Sequence, residues 1–211
     1  MRVRSSAVNL LIASLVIIIA ALVLTVVGMG MRFNFGAGAS FTFAPLLLSI
    51  LAIVVCSFLL GWVRYDLAGG LSLAFAALHD QAVALAGTSV LSLLFGQASV
   101  MPALQVAGIA FTYVFTIPVL REARLIARAT PARELVREEA AEKALRNTQT
   151  LRVVTLIASA LLLLAFLVSG NMRMLGAMLP LILALAAAVV SSSSVTPFIW
   201  AAIKPRRRTR K

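Results

Sequence analysis

The sequence of 211 residues holds a single cysteine, Cys56, and a single histidine, His79, and only 12% of its side chains are charged. A lone cysteine allows no intrachain disulfide and no cysteine-based metal site. Lying inside an apolar run, it reads as a small buried hydrophobe. With one histidine the chain assembles no set of nucleophile, base and orienting group, so it is read as no enzyme, and it calls for no cofactor and no metal. Acidic residues are also scarce: seven against nineteen Lys and Arg, a net charge of +12. Such a charge suits nucleic acid in general, but the placement of these charges excludes that partner, because they fall between apolar runs rather than on one face.

What the chain does have is apolar length. Hydrophobic residues make up 62% of it, and its mean hydropathy is +1.04, values that exclude an ordinary soluble globule of this size. Crossing roughly 30 Å of hydrocarbon takes about 20 apolar residues at ~1.5 Å of rise each. Runs of that length recur, and they predict an all-α polytopic membrane bundle, one transmembrane domain over 1–211 with six spans at 7–27, 44–63, 67–94, 100–120, 151–169 and 174–203. The first run follows Arg2 and Arg4 as a signal peptide would, but it exceeds a cleavable apolar region and is read as a retained anchor.

The basic residues then set the topology. With both termini in the cytoplasm, every Lys and Arg except Arg32 and Arg173 lies on the inner side, the bias that the positive-inside rule demands of an even number of spans. Arg64 and Arg121 mark inner turns at the interface. The basic tail, 204–211, suits a bilayer with anionic headgroups, and the expected location is a bacterial inner membrane. The outer connections are short. The longest inner one, 121–150, carries five of the seven acidic residues and is expected to form a charged, amphipathic helical elbow. Leu125, Val136 and Leu145 are its candidates for a surface-bound face. Pro131 should split it into two helices, with Thr130 as N-cap of the second.

Within hydrocarbon every backbone donor is satisfied by the helix itself, so the informative residues are the polar ones that remain. His79 and Asp80 lie deep in the third span. An Asp at mid-span costs roughly 2.5 to 3.5 kcal/mol on insertion scales, so Asp80 needs a partner or a proton. Two readings stand. One is a proton-titrating site or polar lock, with Asp80 paired to Arg152 or to hydroxyls of other spans. The other is a structural helix–helix hydrogen bond made by the protonated acid. Arg152, at the start of the fifth span, is either an inward-facing charge or an interfacial anchor that snorkels. The fourth span presents Gln105, Gly108, Thr112, Tyr113, Thr116 and Pro118. Gly108, Thr112 and Thr116 share a face at four-residue spacing, which favours close helix approach. Ser191 to Ser194, followed by Thr196 and Pro197, suits tight packing or a bend in the last span.

Four stretches, in order, resemble SecF, the smaller partner of SecD in the resistance-nodulation-division superfamily. Arg32 to Phe41, with Asn34-Phe35-Gly36, resembles the family's "LNFGIDFTGG". Arg64-Tyr65-Asp66 through Leu78-His79-Asp80 resembles its "RFE...LHD", the most specific match. Asn147 to Arg152 resembles "NQTLSRT", and Ser191 to Ile199 resembles "YSSIFIA". The resemblance implies an accessory subunit of the preprotein translocase, assisting export driven by the proton gradient with a SecD-like subunit and the SecYEG channel. Two departures stand out. The family's periplasmic domain between the first two spans is reduced to 28–43, too short to fold alone. The acidic residue of its "GYSINDT" stretch has no counterpart in Gly108 to Val114. Asp80 is then the intramembrane acid left for protons, with Arg152 at the position of the motif's arginine. Alternatives are a non-conducting scaffold of the same fold and a small solute transporter of that superfamily. Cysteines introduced at the two termini should be labelled from the same face of the membrane; labelling from opposite faces would contradict the even span count.

Overall fold

The computed structural model describes residues 43–95, 106–130, 136–169 and 174–203, together with positions 12, 16, 19 and 20, which are helical. The rest of the expected first span, Arg32 to Phe41, Gln105, Pro131 and the basic tail lie outside the described residues. Those described form helices, with no strand among them. In chain order they are α1 (Phe43–Arg64), α2 (Leu67–Phe95), α3 (Ile109–Ala129), α4 (Arg137–Asn147), α5 (Gln149–Ser169), α6 (Met174–Val190), a π-helical turn (Ser191–Val195) and α7 (Thr196–Ala202).

Two stretches, Leu47–Arg64 and Met178–Ala202, are long and apolar enough to cross a bilayer. A third qualifies if Arg137–Asn147 and Gln149–Ala165, which meet at 50°, form one span. Most of the expected first span and the start of the fourth lie outside the described residues, so these helices do not set the number of crossings. In α2 the sequence His79-Asp80-Gln81 dilutes the apolar run. Helix α2 needs no apolar surface of its own because it is the centre of the bundle, packed against α1, α3, α6 and α7. Its contact residues are mostly small: Ala68, Ala74, Ala76, Ala77, Ala84 and Ala86 are buried, and such side chains let backbones approach where lipid offers little hydrophobic drive to association. The outward faces of α1 and α5 are the reverse, with Leu48, Leu51, Val63, Val154, Ile157 and Val168 exposed. Cys56 belongs to that outer face: it is exposed, not buried as expected.

Helices α1 and α2 form a hairpin turned by Tyr65 and Asp66. The Asp66 carboxylate accepts the Gly69 N–H at 2.6 Å, so it caps the first turn of α2. Behind the turn the backbones nearly touch. A Cβ on Gly61 would lie 2.7 Å from the Gly69 carbonyl oxygen, and one on Gly70 would lie 2.8 Å from the Phe58 carbonyl oxygen.

The elbow is helical, as expected, but departs from expectation at Thr130. Helix α3 runs on through Pro118 to Ala129. Thr130 is its C-cap, with extended backbone and its hydroxyl bonded back to Ile126 O at 2.9 Å, and Val136 occupies the N-cap of α4. The residue before a proline is pushed out of the α region, which makes Thr130 an ending rather than a beginning. The packed face of α4 is Ala140, Ala141 and Ala144, set against Tyr65, Leu120 and Trp200, while Leu125 and Val136 are exposed. Arg137 ties this helix to the end of α7. It donates to the carbonyls of Trp200 at 3.1 Å and Ile203 at 2.6 Å, lies 4.6 Å over the Trp200 ring and faces Asp66 at 3.9 Å. Carbonyls at a helix end have no partner within the helix, and a guanidinium is suited to supply one. Burial pulls the Arg137 pKa down while Asp66 opposes that pull.

The hairpin contact predicts a contrast. Gly70→Val drives a side chain into backbone and should cost about 1–3 kcal/mol of stability, whereas Gly87→Ala meets only the flexible Leu183 side chain and should cost less. Thermal unfolding of the detergent-solubilised chain, followed by size-exclusion fluorescence, checks the order.

A buried carboxylate as candidate functional site

Asp80 lies thirteen residues into α2, roughly 20 Å from the start of the helix at ~1.5 Å per residue. Its side chain is wholly buried. An unpartnered carboxylate at that depth is not tolerated, and three groups meet it. Thr112 Oγ1 of α3 donates to Oδ2 at 2.7 Å, Ser191 Oγ of the π turn donates to the same oxygen at 2.9 Å, and His79 Nδ1 lies 3.1 Å from Oδ1. The His79 ring is buried as well. Its contact with Asp80 works in two proton arrangements: with the Nδ1–H tautomer the imidazole donates to a carboxylate, and with bare Nδ1 it accepts from a carboxylic acid.

Local sequence explains why these groups converge. Thr112 is on the small-residue face of α3, one turn after Gly108, which is itself buried. Ser191 reaches Asp80 from a widened turn. Pro197 lacks an N–H and its ring crowds the carbonyl four residues earlier, Ser193, and the chain answers with a π-helical turn over Ser191–Val195. Hydroxyls of Ser192 and Ser193 bond back to the Val189 carbonyl, and that of Ser194 to Val190. The serine run therefore satisfies the backbone that the turn disturbs, and Ser191 is left to share its hydrogen between Ala188 O at 3.3 Å and Asp80. Single π turns inside helices are found mostly at functional sites.

Of the residues singled out in the sequence, Asp80, His79 and Thr112 come together here, and Ser191 completes the cluster. Tyr113 points elsewhere: its hydroxyl lies 2.8 Å from Ser57 Oγ of α1. Because the Ser57 hydrogen is committed to Ile53 O at 2.6 Å, Tyr113 is the donor, pinning α3 to α1. Arg152 is not the partner of Asp80. It stands at the first turn of α5 with Nη1 buried and without a hydrogen-bond partner, and the Asp80 oxygens are instead met by His79, Thr112 and Ser191. Arg64 and Arg121 are exposed at the end of the bundle where α1 ends. Two further hydroxyls have no partner although wholly buried, Thr116 Oγ1 and Thr196 Oγ1. Thr116 follows Thr112 by one turn and Thr196 follows Ser191 across the π turn, so both are displaced from the carboxylate in the same direction, toward the Arg64 end. Among the described residues no group of three His, Cys, Asp or Glu side chains is placed to hold a metal ion.

Removing either hydroxyl leaves part of the carboxylate unsatisfied, a cost of about 1–3 kcal/mol. Thr112→Val and Ser191→Ala should each lower thermal stability. In a double-mutant cycle with Asp80→Asn their costs should fail to add, by about 0.5–3 kcal/mol; additive losses would mean that the contacts carry no energy.

Comparison with curated proteins and with solved structures finds no match. The family described as "Protein export membrane protein SecD/SecF, C-terminal" matches residues 37–206, which take in α1 to α7 and every member of the Asp80 cluster. The chain therefore belongs to the SecD/SecF family of protein-export membrane proteins.

Proposed function

We propose that this chain is a SecF-like accessory subunit of the preprotein translocase, crossing a bacterial inner membrane six times with both ends in the cytoplasm. In this reading it acts beside a SecD-like subunit and the SecYEG channel, and Asp80 links export to the proton gradient. Family membership supports the setting, and one observation carries the mechanism: a fully buried carboxylate in hydrogen-bond contact with an imidazole and two hydroxyls from three separate elements. The chain performs no covalent chemistry on its client in this account. A proton arriving at Asp80 passes between its Oδ1 and His79 Nδ1, and changes how many donors the carboxyl group accepts. Its grip on Thr112 and Ser191, and with it the fit of α3 and the π turn against α2, changes accordingly. The unpartnered Thr116 and Thr196 hydroxyls offer further polar stations on the side of the Arg64 end.

A second reading has an observation of its own. No carboxylate occupies Gly108 to Val114 on α3, and a carboxyl group bonded to fixed hydroxyls also serves as a lock in a non-conducting scaffold of the same fold. Asp80→Asn separates the two. In vesicles carrying the whole translocase, coupling predicts loss of the gradient-stimulated part of export, at least several-fold, while the variant still co-purifies with its partners. Unchanged export would leave the scaffold. Failure of the native chain to co-purify with any SecD-like or SecYEG subunit would overturn both.

A further inference from the structure

At the end of the bundle where α1 gives way to α2, three arginines, Arg64, Arg121 and Arg124, stand on the elements beside Tyr65, and none has an ion-pair partner among the described residues. Arg124, from the extension of α3, lies 5.9 Å over the Tyr65 ring and donates to the carbonyl oxygen of Arg64. Arg64 precedes the tyrosine directly, and Arg121 stands one turn before Arg124 on the same helix. The Tyr65 ring is buried, and its hydroxyl makes only a long contact, 3.5 Å, to Ile117 O. Burial raises the Tyr65 pKa, and the charges of Arg64, Arg121 and Arg124 each act against that rise, so all three fields reach the phenol. The two carboxylates close by are engaged elsewhere. Asp66 accepts the Gly69 N–H and faces Arg137, and Glu122 accepts from Asn147 at 2.7 Å. Among the described residues none of the three arginines forms an ion pair.

We infer that Arg64, Arg121 and Arg124 with Tyr65 form a binding site for the phosphate of an anionic phospholipid. Three arginines at one end of the bundle repel one another unless an anion joins them, and the planar forks of arginine suit phosphate oxygens. The neighbouring surface indicates a lipid rather than a free anion. Val63, next to Arg64, is 85% exposed and Trp62 is 52% exposed, so the cluster is bordered by an apolar face and by an indole of the kind that settles at headgroup level. A phosphate at the guanidiniums would leave its acyl chains to run along Val63 and Trp62. This is a defined site, distinct from the diffuse attraction that any basic end exerts on an acidic leaflet.

The test uses the full chain with Trp200→Phe, so that Trp62 reports alone, in phosphatidylcholine vesicles containing a minor fraction of phosphatidylglycerol. Brominated acyl chains are placed on one lipid or the other in separate samples. Brominated phosphatidylglycerol should quench Trp62 several-fold more than its mole fraction predicts. Arg121→Gln with Arg124→Gln should abolish the preference, Arg121→Lys with Arg124→Lys should retain part of it, and Arg146→Gln, on exposed α4 surface, should leave it intact. Circular dichroism confirms that each variant is folded. Millimolar inorganic phosphate should not displace the lipid; displacement would make the ligand a free anion and overturn the assignment. Quenching in proportion to mole fraction would overturn it, as would an equal loss with Arg146→Gln, which would signify surface potential alone. So would no lipid preference together with loss of a co-purifying acidic protein in the Arg121/Arg124 glutamine variant, since the arginines would then serve that protein.

Discussion

The burial of one carboxylate governs how this bundle is put together. Asp80 has no solvent contact, and leaving even part of it unsatisfied costs about 1–3 kcal/mol per missing partner. Its partners come from α3 and from the π turn after α6, elements far apart in sequence, so satisfying the acid requires three elements to meet at one depth. Such an approach is possible because α2 is walled with alanine and glycine, and because the turn before Pro197 widens enough to aim Ser191 inward. Packing and polar satisfaction thus act at the same place, which is what a helix bundle in lipid requires, where the hydrophobic effect does not press one helix against another.

The two ends of the molecule are organised by different forces. Around Asp80 the contacts are neutral hydroxyls and an imidazole in a sealed interior. At the Arg64 end the contacts involve charge: Arg137 holds the elbow to the last carbonyls of α7 and to Asp66, while Arg124 lies over the Tyr65 ring and donates to the Arg64 carbonyl. Between them lie Leu73, Leu120 and Trp200, all buried, with the alanine face of α4 closing over them. In the proposed proton-coupled reading this division would separate Asp80 from the charged end of the bundle, with Thr116 and Thr196 in the intervening turn.

Much of this was legible in the residues themselves. An Asp in an apolar stretch is costly enough to mark itself, and the four-residue spacing of Gly108, Thr112 and Thr116 identified the face of α3 that meets it. Ser191 shares a helical face with the buried Ala184, Ala187 and Ala188, but a run of four serines does not itself show which hydroxyl meets the acid. In the elbow Thr130 ends one helix instead of starting the next. The elbow's packed surface is alanine, which hydropathy patterns scarcely register, while Leu125 and Val136 are exposed. The pairing of Asp80 with Arg152 does not form, because the carboxylate is already met by an imidazole and two hydroxyls. The spans were read from apolar runs and their orientation from charge placement; among the described residues two stretches, or three with the bent pair, are apolar enough to cross a membrane.

The central claim is that the carboxyl group of Asp80 is held by hydroxyls from α3 and the π turn. Infrared difference spectroscopy of the reconstituted chain addresses it directly, with the Asp80 band identified by its disappearance in Asp80→Asn. The account predicts that this band shifts when either Thr112→Val or Ser191→Ala is introduced and shifts further when both are. A band that stays in place in both variants would contradict it.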